Sequence, residues 1–358
     1  MFGMEIETRI PVTFKDGESI EEYPHIAEHK EEKYHIDVDF SEKISILEFV
    51  MHAFDEHKTT LEEAYKELDA RLELIERFIT TASQAKSGTP LADVCKSFGV
   101  TISEAYDETV LNAVNNPGNN PLNGPIHFTV GFAPEVIPRL ILDKLRDETF
   151  VNDDGKTILR ATQAALLPID RFIDVLSFPR GANRRMGYLA LLYMQIAAAM
   201  DGAKDTQSRL KKNRTQALCR VPFSVIYKNL PAEDKLWLQK NQDALLGCMQ
   251  RQYSGQDQYS DEDGKWGEKP DDKNLVPRPA KSIIKAAFGE SASDSPEDIF
   301  GKMTVIGQGE PVGATGLKQV GYALELRRLR VTSGNPDSRR AVAHALLAYS
   351  RLIHGTDK

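Results

Sequence analysis

The sequence predicts a mixed α+β protein, because two hydrophobic periods occur in separate segments of the chain. Apolar and polar residues alternate with a period of two over residues 4–13, 34–40, 126–132 and 324–327. This alternation is typical of strands in a sheet that buries one face only. Residues 61–79 instead place apolar residues at alternating steps of four and three, as an amphipathic helix does. We expect this helix to lie on the sheet.

The helix predicted over 61–79 has a clear start signal. Thr60-Leu61-Glu62-Glu63 has the Thr-x-x-Glu spacing of a capping box, in which side chains satisfy the first free backbone amides of a helix. Apolar periodicity predicts further helices at 134–147, 158–176, 186–202, 231–251 and 338–354. The last of these helices stops before Gly355, a residue that often ends a helix.

One polar segment stands apart from these elements. Between residues 251 and 275 the only hydrophobic side chains are those of Tyr253, Tyr259, Trp266 and Leu275, among seven acids and four bases. Such a stretch buries too little apolar surface to offset the entropy lost on ordering. We therefore predict a polar mobile loop at 251–275 within a single elaborated domain that spans residues 1–358.

The charge balance limits the partners. The formal net charge is −8 and the isoelectric point is near 5.6, whereas nucleic acids and anionic membranes attract basic surfaces. We expect no nucleic-acid partner and no membrane partner. The most apolar stretch, 186–200, is shorter than the ~20 residues of a membrane span, so we expect a buried helix there.

The cysteines and the start of the chain indicate a reducing compartment. Cys95, Cys219 and Cys248 are too far apart to build a disulfide framework or a zinc motif. The first residues lack the basic and apolar regions of a signal peptide. The expected location is cytoplasmic.

The segment His25-Ile26-Ala27-Glu28-His29 matches the H-x-x-E-H spacing of inverted zinc proteases. On a helix, His25 and His29 would share a face and could bind zinc. The segment follows Pro24 and lies between two predicted strands in a run of Glu and Lys, so zinc hydrolysis is only a third hypothesis.

Paired carboxylates on the polar strand faces carry a stronger signal. Glu5 and Glu7 are two residues apart on one strand, as are Asp37 and Asp39 on another, so each pair shares a face. Like charges on one face repel unless water or a cation compensates. The pattern alone favours a face in water, but a covered face would suit magnesium, which prefers oxygen ligands.

Two basic clusters could bind phosphate or carboxylate groups. One contains Arg180, Arg184 and Arg185 before the apolar stretch, and the other contains Lys211, Lys212, Arg214 and Arg220. The guanidinium group grips such anions through two parallel hydrogen bonds. Each residue taken singly is more typical of a solvated surface charge.

A series of short motifs follows in a fixed order along the chain. They are Gly3-Met4-Glu5-Ile6-Glu7, Asp39-Phe40-Ser41, Glu48-Phe49-Val50, the strand 126–130, the apolar helix 187–199, Arg220-Val221-Pro222-Phe223 and the strand 322–327, which contains Glu325-Leu326-Arg327. In this order they resemble the amidoligases and the related glutamate–cysteine ligases, which share the glutamine synthetase fold. The resemblance spans nearly the whole chain.

This resemblance implies a curved antiparallel sheet of the glutamine synthetase type, with helices packed on its outer face and magnesium and ATP on its concave face. It implies a carboxylate–amine ligase that forms an amide through an acyl phosphate, with small-molecule or peptide carboxylate and amine substrates. The implied metal ligands are Glu5, Glu7, Glu48 and Glu325; the implied catalytic residues are Arg220 and Arg327, and the implied ATP-binding residues are Lys212, Arg214, His127 and Thr129.

The alternative is a non-catalytic interaction or effector protein whose acidic sheet face is solvated. It predicts outward-pointing carboxylates without a shared cavity, whereas the ligase hypothesis predicts that Glu5, Glu7, Glu48 and Glu325 converge, with Arg327 beside them and Arg220 at the rim.

Overall fold

A computed structural model gives the fold of most of the N-terminal third of the chain and of separate segments beyond it. The structure describes residues 1–20, 24–41, 44–113, 124, 126–137, 184–192, 217–219, 221, 223–242, 258–260, 265–268, 278–279, 287–288, 322–326 and 336–355.

These residues form both strands and helices. The strands are β1 (Phe2–Phe14), β2 (His25–His29), β3 (Tyr34–Ser41), β4 (Ile44–Phe54), β5 (Thr89–Pro90), β6 (Val100–Ile102), β7 (Thr109–Leu111), β8 (Ile126–Phe132), β9 (Ala217–Cys219), β10 (Gln258–Ser260), β11 (Lys265–Glu268), β12 (Arg278–Pro279) and β13 (Tyr322–Leu326). The helices are α1 (Leu61–Gln84), α2 (Leu91–Ser97), α3 (184–192), α4 (Phe223–Asn229), α5 (Ala232–Lys240) and α6 (Pro336–His354).

The chain divides into two compact units. The first contains residues 1–129 together with 328–358, and the second contains residues 130–327. The boundary falls inside β8. Whether both units belong to one ligase domain stays a prediction.

A large, mainly antiparallel sheet forms the centre of the first unit. Its strand order is β6-β2-β3-β4-β1, and β8, whose residues 126–129 belong to this unit, lies beside β1. The pairs β2–β3, β3–β4 and β1–β4 are antiparallel. The register of β1 shifts between Glu7 and Pro11, and its last residues pair with β7 instead of β4.

Helix α1 covers the apolar face of this sheet. Strand residues such as Ile6, Leu47 and Phe49 have no exposed surface, and the Phe49 ring meets the Phe78 ring of α1 edge-on at 5.2 Å. Thr60 and Glu63 form the predicted capping box at the start of the helix. Burial of these side chains, at roughly 25 cal/mol per Å² of apolar surface, is the main source of stability for this layer.

Helix α6 contacts α1 through charged side chains. Arg339 and Arg340 reach the Glu76 carboxylate at 3.3 and 2.7 Å, respectively. The His344 imidazole lies 2.9 Å from a carboxylate oxygen of Asp69. These contacts join segments far apart in sequence within the first unit.

The second unit contains a smaller set of described elements. Residues 130–132 of β8, β13 and β9 follow one another in one sheet, and β13 pairs with β9 in antiparallel fashion. A separate three-stranded antiparallel sheet has the order β10-β11-β12. Strands β10 and β11 fall inside the polar segment 251–275, whose predicted mobility stays a prediction.

The α+β class is confirmed, and so are several elements. The strands predicted at 4–13, 34–40 and 126–132 correspond to β1, β3 and β8, and the helices predicted at 61–79 and 338–354 correspond to α1 and α6. The predicted helix at 158–176 lies outside the described residues. The helices predicted at 186–202 and 231–251 are described over 184–192 and 232–240. The specific glutamine synthetase type remains a proposal.

Among the described residues, no helix combines the length and the hydrophobicity that crossing a bilayer requires.

Candidate functional site

The strand register brings three carboxylates into one row across the first unit. Glu7 of β1 lies opposite Glu48 of β4, and Glu48 lies opposite Asp37 of β3. Directly opposed residues on antiparallel strands have Cβ atoms about 4.5–5.5 Å apart. Glu5 precedes Glu7 by two residues and Asp39 follows Asp37 by two, so both extend the row on the same face. We call Glu5, Glu7, Asp37, Asp39 and Glu48 the acidic cluster.

Local strand periodicity explains why these acids share a face. Ile6, Val38 and Leu47 alternate with the acids along β1, β3 and β4, and none of the three has exposed surface. Because successive side chains of a strand point to opposite faces, burial of the apolar set against α1 directs the acids to the other face.

The acidic cluster is not freely solvated. The side chains of Glu5 and Glu7 are 15% and 14% exposed, and Asp39 is 6% exposed. Burial of carboxylates at this level is costly unless cations or hydrogen bonds compensate.

His127 of β8 lies against the two N-terminal acids. Its Nδ1 atom is 3.7 Å from Oε2 of Glu5, and its Nε2 atom is 3.8 Å from Oε1 of Glu7. The side chain is 8% exposed. An imidazole here can donate to a carboxylate or bind a metal ion. Thr129, two residues further along β8, is half-buried.

Gly124 brings the chain before β8 close to β1. A Cβ atom at this position would lie 1.7 Å from the carbonyl oxygen of Glu7. No side chain fits at that distance, so glycine is required for the approach at a metal-ligand candidate. Sequence patterns could not identify this role, because the contact depends on the fold.

The electrostatics of Glu48 set it apart from an ordinary glutamate. Burial raises the pKa of its carboxyl from 4.5 to about 9, and the negative charges of Glu5, Glu7, Asp39 and Asp37 act in the same direction. The carboxylate form therefore requires a nearby positive charge to be stable at neutral pH. A bound divalent cation would supply that charge.

The remaining residues implied by the resemblance fall into two groups. Glu325 lies on β13 in the second unit and has no exposed surface, and its position relative to the acidic cluster stays a prediction. Arg220, Arg327, Lys212 and Arg214 lie outside the described residues.

The basic cluster before the apolar stretch contacts acids in the second unit. Arg184 and Arg185 lie 2.7 Å from the two carboxylate oxygens of Asp234, and Arg184 also lies 3.0 Å from Glu233. Asp234 is buried, so this ion pair joins α3 to α5. Arg180 lies outside the described residues. Ion pairing within the fold accounts for both described arginines.

The helical H-x-x-E-H interpretation is wrong. Residues His25–His29 form β2, which pairs with β3 and β6. His25 is exposed, whereas His29 is 4% exposed and its ring packs on Tyr34 at 5.1 Å. A regular strand would place residues four apart on one face, but the register shift between His25 and Ala27 directs His25 and His29 to different environments.

Comparisons with known proteins give no family. No protein-family description matches the sequence, and no curated protein matches it. A solved structure of a VgrG Vibrio cholerae toxin ACD domain mutant, in complex with ADP and Mn²⁺, is 13% identical with a TM-score of 0.46, covering 95% of each chain. A Vibrio cholerae toxin from the MARTX/VgrG family is 13% identical with a TM-score of 0.45, covering 92% of this chain and 93% of that chain. With TM-scores below 0.5, we base no conclusion on either similarity.

Proposed function

We propose that this chain is an ATP- and Mg²⁺-dependent carboxylate–amine ligase that forms an amide bond. One observation carries the proposal: Glu5, Glu7 and Glu48 lie together on one half-buried sheet face, in the order and spacing of the amidoligase motifs. The resemblance to the amidoligases implies that the same three acids are metal ligands.

The donor set of the acidic cluster suits magnesium. Carboxylate oxygens are hard ligands, and Mg²⁺ is commonly held by one or two of them together with phosphate oxygens. Burial and four neighbouring carboxylates raise the pKa of Glu48 to about 9, and a bound divalent cation would favour its ionised form. When bound, magnesium would neutralise charge on the transferring phosphate.

The chain's own residues would position the reactants and exclude water. His127 and Thr129 lie on the strand beside Glu5 and Glu7, where they could contact a bound nucleotide. Lys212, Arg214, Arg220 and Arg327 are proposed to bind the phosphates and the substrate carboxylate, since guanidinium and ammonium groups stabilise such charge.

The chemistry follows from the resemblance. A substrate carboxylate oxygen attacks the γ-phosphorus of ATP, which releases ADP and leaves an acyl phosphate. An amine then attacks the carbonyl carbon, forms the amide and releases phosphate and a proton. The low exposure of the acidic cluster favours this route, because water would otherwise hydrolyse the acyl phosphate.

The burial of the acids weakens the main alternative. A solvated acidic face on an interaction protein predicts exposed carboxylates, yet Glu5 and Glu7 are 15% and 14% exposed. Retaining several carboxylates at such burial costs stability, which is expected of a binding site rather than of a wet surface.

A thermal-shift experiment tests the proposal. We expect ATP with Mg²⁺ to raise the melting temperature, while either alone has a much smaller effect, since a ligand at about 100 times its Kd adds ~2.7 kcal/mol. Glu7→Gln should abolish the shift, because it removes a metal ligand and keeps the side-chain volume. Glu73→Gln, at an exposed position of α1, serves as the matched control. Absence of a shift at millimolar ATP and Mg²⁺ would contradict the proposal.

An activity assay separates a ligase from a nucleotide-binding protein. Hydroxylamine replaces the unknown amine, and a panel of amino acids and peptides supplies the carboxylate. The expected products are ADP and a hydroxamate in equal amounts, formed by the wild-type chain and not by Glu5→Gln. A thermal shift without ADP release in any mixture would restrict the function to binding.

A further inference from the structure

A second group of metal-binding side chains lies at one side of the same sheet face. His25 and Glu28 of β2, His35 and Asp37 of β3 and His52 of β4 contact one another within the first unit. We call these residues the histidine cluster. Three imidazoles, of which His35 contacts both His25 and His52, set it apart from the carboxylates around Glu48.

A β-bulge brings the residues of β2 to one side. His25 pairs with Asp37 and Ala27 pairs with Ile36, so β2 has one extra residue between these pairs. The extra residue resets the alternation, and Glu28 then pairs with His35 on the side where His25 lies. His25 and Glu28 thus face the same space although they are three residues apart.

Three neighbouring pairs of donor atoms lie 2.9–3.4 Å apart, close to the spacing between ligands of a tetrahedral metal site. Nε2 of His25 is 3.4 Å from Oε2 of Glu28, Nε2 of His52 is 3.2 Å from Oε1 of Glu28, and Nδ1 of His35 is 2.9 Å from Nε2 of His52. Metal–nitrogen bonds of about 2.0–2.1 Å place tetrahedral donors about 3.3 Å apart. One ligand atom from each of His25, Glu28 and His35 lies within 4.8 Å of the other two.

Asp37 occupies the position of an outer carboxylate. The second nitrogen of His25, Nδ1, is 3.2 Å from Oδ1 of Asp37, and the second nitrogen of His35, Nε2, is 3.5 Å from Oδ2. Metal-binding histidines usually donate their other ring N–H to a carboxylate, which fixes the tautomer and orients the ring. One aspartate here can orient two imidazoles.

We propose that His25, Glu28, His35 and His52 bind a divalent transition-metal ion such as Zn²⁺, with Asp37 orienting two of the histidines. Imidazole nitrogen suits zinc and its neighbours in the transition series, whereas magnesium prefers oxygen. The site is therefore distinct from the acidic cluster in metal preference. It links β2, β3 and β4 and is open to solvent, since 49% of the His25 side chain is exposed.

Zinc binding to the metal-free protein tests the proposal. The chain is treated with a chelator, dialysed, and titrated with Zn²⁺ against a chromophoric chelator in millimolar Mg²⁺ without nucleotide. We expect one equivalent of Zn²⁺ to bind to the wild-type chain. His25→Gln and His35→Gln should each weaken binding at least ~10-fold, and Asp37→Asn should weaken it by about 10–100-fold, the usual range for an outer-sphere partner.

Two controls make the result specific. His344→Gln removes a half-buried histidine that also has a carboxylate partner, Asp69, and should leave Zn²⁺ affinity unchanged. Glu48→Gln should leave it unchanged as well, which distinguishes this site from the acidic cluster. Co²⁺ bound to the wild-type chain should show the intense visible bands of tetrahedral nitrogen coordination, and Co²⁺ with His35→Gln should not.

Three results would overturn the proposal. The first is that the wild-type chain binds no stoichiometric Zn²⁺. The second is that His25→Gln and His35→Gln bind Zn²⁺ as tightly as the wild-type chain does. The third is that Glu48→Gln is the one variant that loses Zn²⁺ affinity. Circular dichroism shows whether each variant folds. If His35→Gln fails to fold, the Zn²⁺ affinity of His25→Gln decides the test, because His25 is largely exposed. Failure of the ATP experiments would leave this measurement unaffected.

Discussion

Glu48 and Glu56 are both glutamates of the first unit, and their surroundings shift the carboxyl pKa in opposite directions. Glu56 has no exposed surface, and burial alone would raise its pKa. A hydrogen bond to His57 and the positive amino terminus of Met1 outweigh burial and lower the pKa of Glu56 to about 2. Burial and surrounding carboxylates instead raise the pKa of Glu48 to about 9.

The contacts explain the difference. The Met1 amino group lies 2.6 Å from Oε2 of Glu56, His57 Nε2 lies 3.2 Å from Oε1, and the Ser350 hydroxyl donates a hydrogen bond to Oε1 at 3.0 Å. Glu56 is thus compensated by the chain itself, as a structural residue is. The charged groups with the largest effect on Glu48 are carboxylates, which is the arrangement expected where an external cation binds.

The largest expected effect is on the structural side of this comparison. Glu56→Gln should lower the free energy of unfolding at pH 7 by about 3–4 kcal/mol, because it leaves buried partners without a counter-charge. The stabilisation by Glu56 is complete above pH 4.5 and disappears as the pH falls towards 2. Urea denaturation measures the change, with Glu73→Gln as control. A loss below about 1 kcal/mol would show that Glu56 is not a structural charge.

The next effect concerns His354, which packs on His57 beside Glu56. Burial lowers the pKa of His354 from 6.5 to about 4, and the His57 charge adds to this effect, although a hydrogen bond to the Ser350 carbonyl opposes it. The unfolded chain therefore binds a proton that the folded chain excludes, so stability falls as the pH decreases from 6.5 towards 4.

The measurement compares unfolding at pH 7.5 and pH 5. The wild-type chain should lose about 2 kcal/mol more than His354→Gln over this interval, at ~1.4 kcal/mol per pH unit below the unfolded pKa. Glutamine keeps an N–H donor for the Ser350 carbonyl. Parallel pH profiles for the two chains would mean that His354 accepts its proton in the folded state.

For Glu48, the comparison predicts that substitution changes the free energy of unfolding in the opposite direction. In metal-free protein, Glu48→Gln should raise the free energy of unfolding at pH 8 by about 1–2 kcal/mol. The wild-type folded state keeps a proton on Glu48 that the unfolded state releases above pH 4.5, so wild-type stability falls as the pH rises towards 9. The limit for one group is ~1.4 kcal/mol per pH unit.

Saturating Mg²⁺ with ATP should remove this advantage, because the cation stabilises the wild-type carboxylate and has one ligand fewer in the variant. A variant that is less stable than the wild-type chain at pH 8 without metal would show that the chain itself compensates Glu48.

The sequence predicted one half of this comparison better than the other. The period-two pattern placed Glu5, Glu7 and the aspartates on polar strand faces, because alternation is a local property of a strand. Glu48 entered through a motif, and the opposed pairing of Glu7, Glu48 and Asp37 came only from the register. Glu56 carried no signal, since its partner Ser350 lies far along the chain.

Contacts between distant segments and irregularities within strands could not be predicted from the sequence. Regular strand alternation would place His25 and Glu28 on opposite faces, so only the bulge in β2, which the sequence pattern does not show, brings them to one side. Gly124 carried no signal in the sequence, because its close approach to the Glu7 carbonyl depends on the fold. The capping box at Thr60 was readable because all its atoms lie within one helical turn.

The smallest expected effect separates burial from charge at Glu48. Burial is the largest cause of the raised pKa, and the Glu5 charge is the next. Glu5→Gln should therefore lower the pKa of Glu48 by about one unit or less, which corresponds to ~1.4 kcal/mol at most. Carbon-13 NMR of carboxyl-labelled glutamate follows the titration in metal-free protein, and the resonance absent from Glu48→Gln assigns the signal.

Glu73→Gln should leave the titration unchanged, because that exposed side chain lies on α1, which covers the other face of the sheet. A return of the Glu48 pKa to near 4.5 in Glu5→Gln would mean that charge repulsion dominates and that burial contributes little. A Glu48 that titrates near 4.5 in the wild-type chain would remove the contrast with Glu56, and with it the electrostatic argument for a cation at this site.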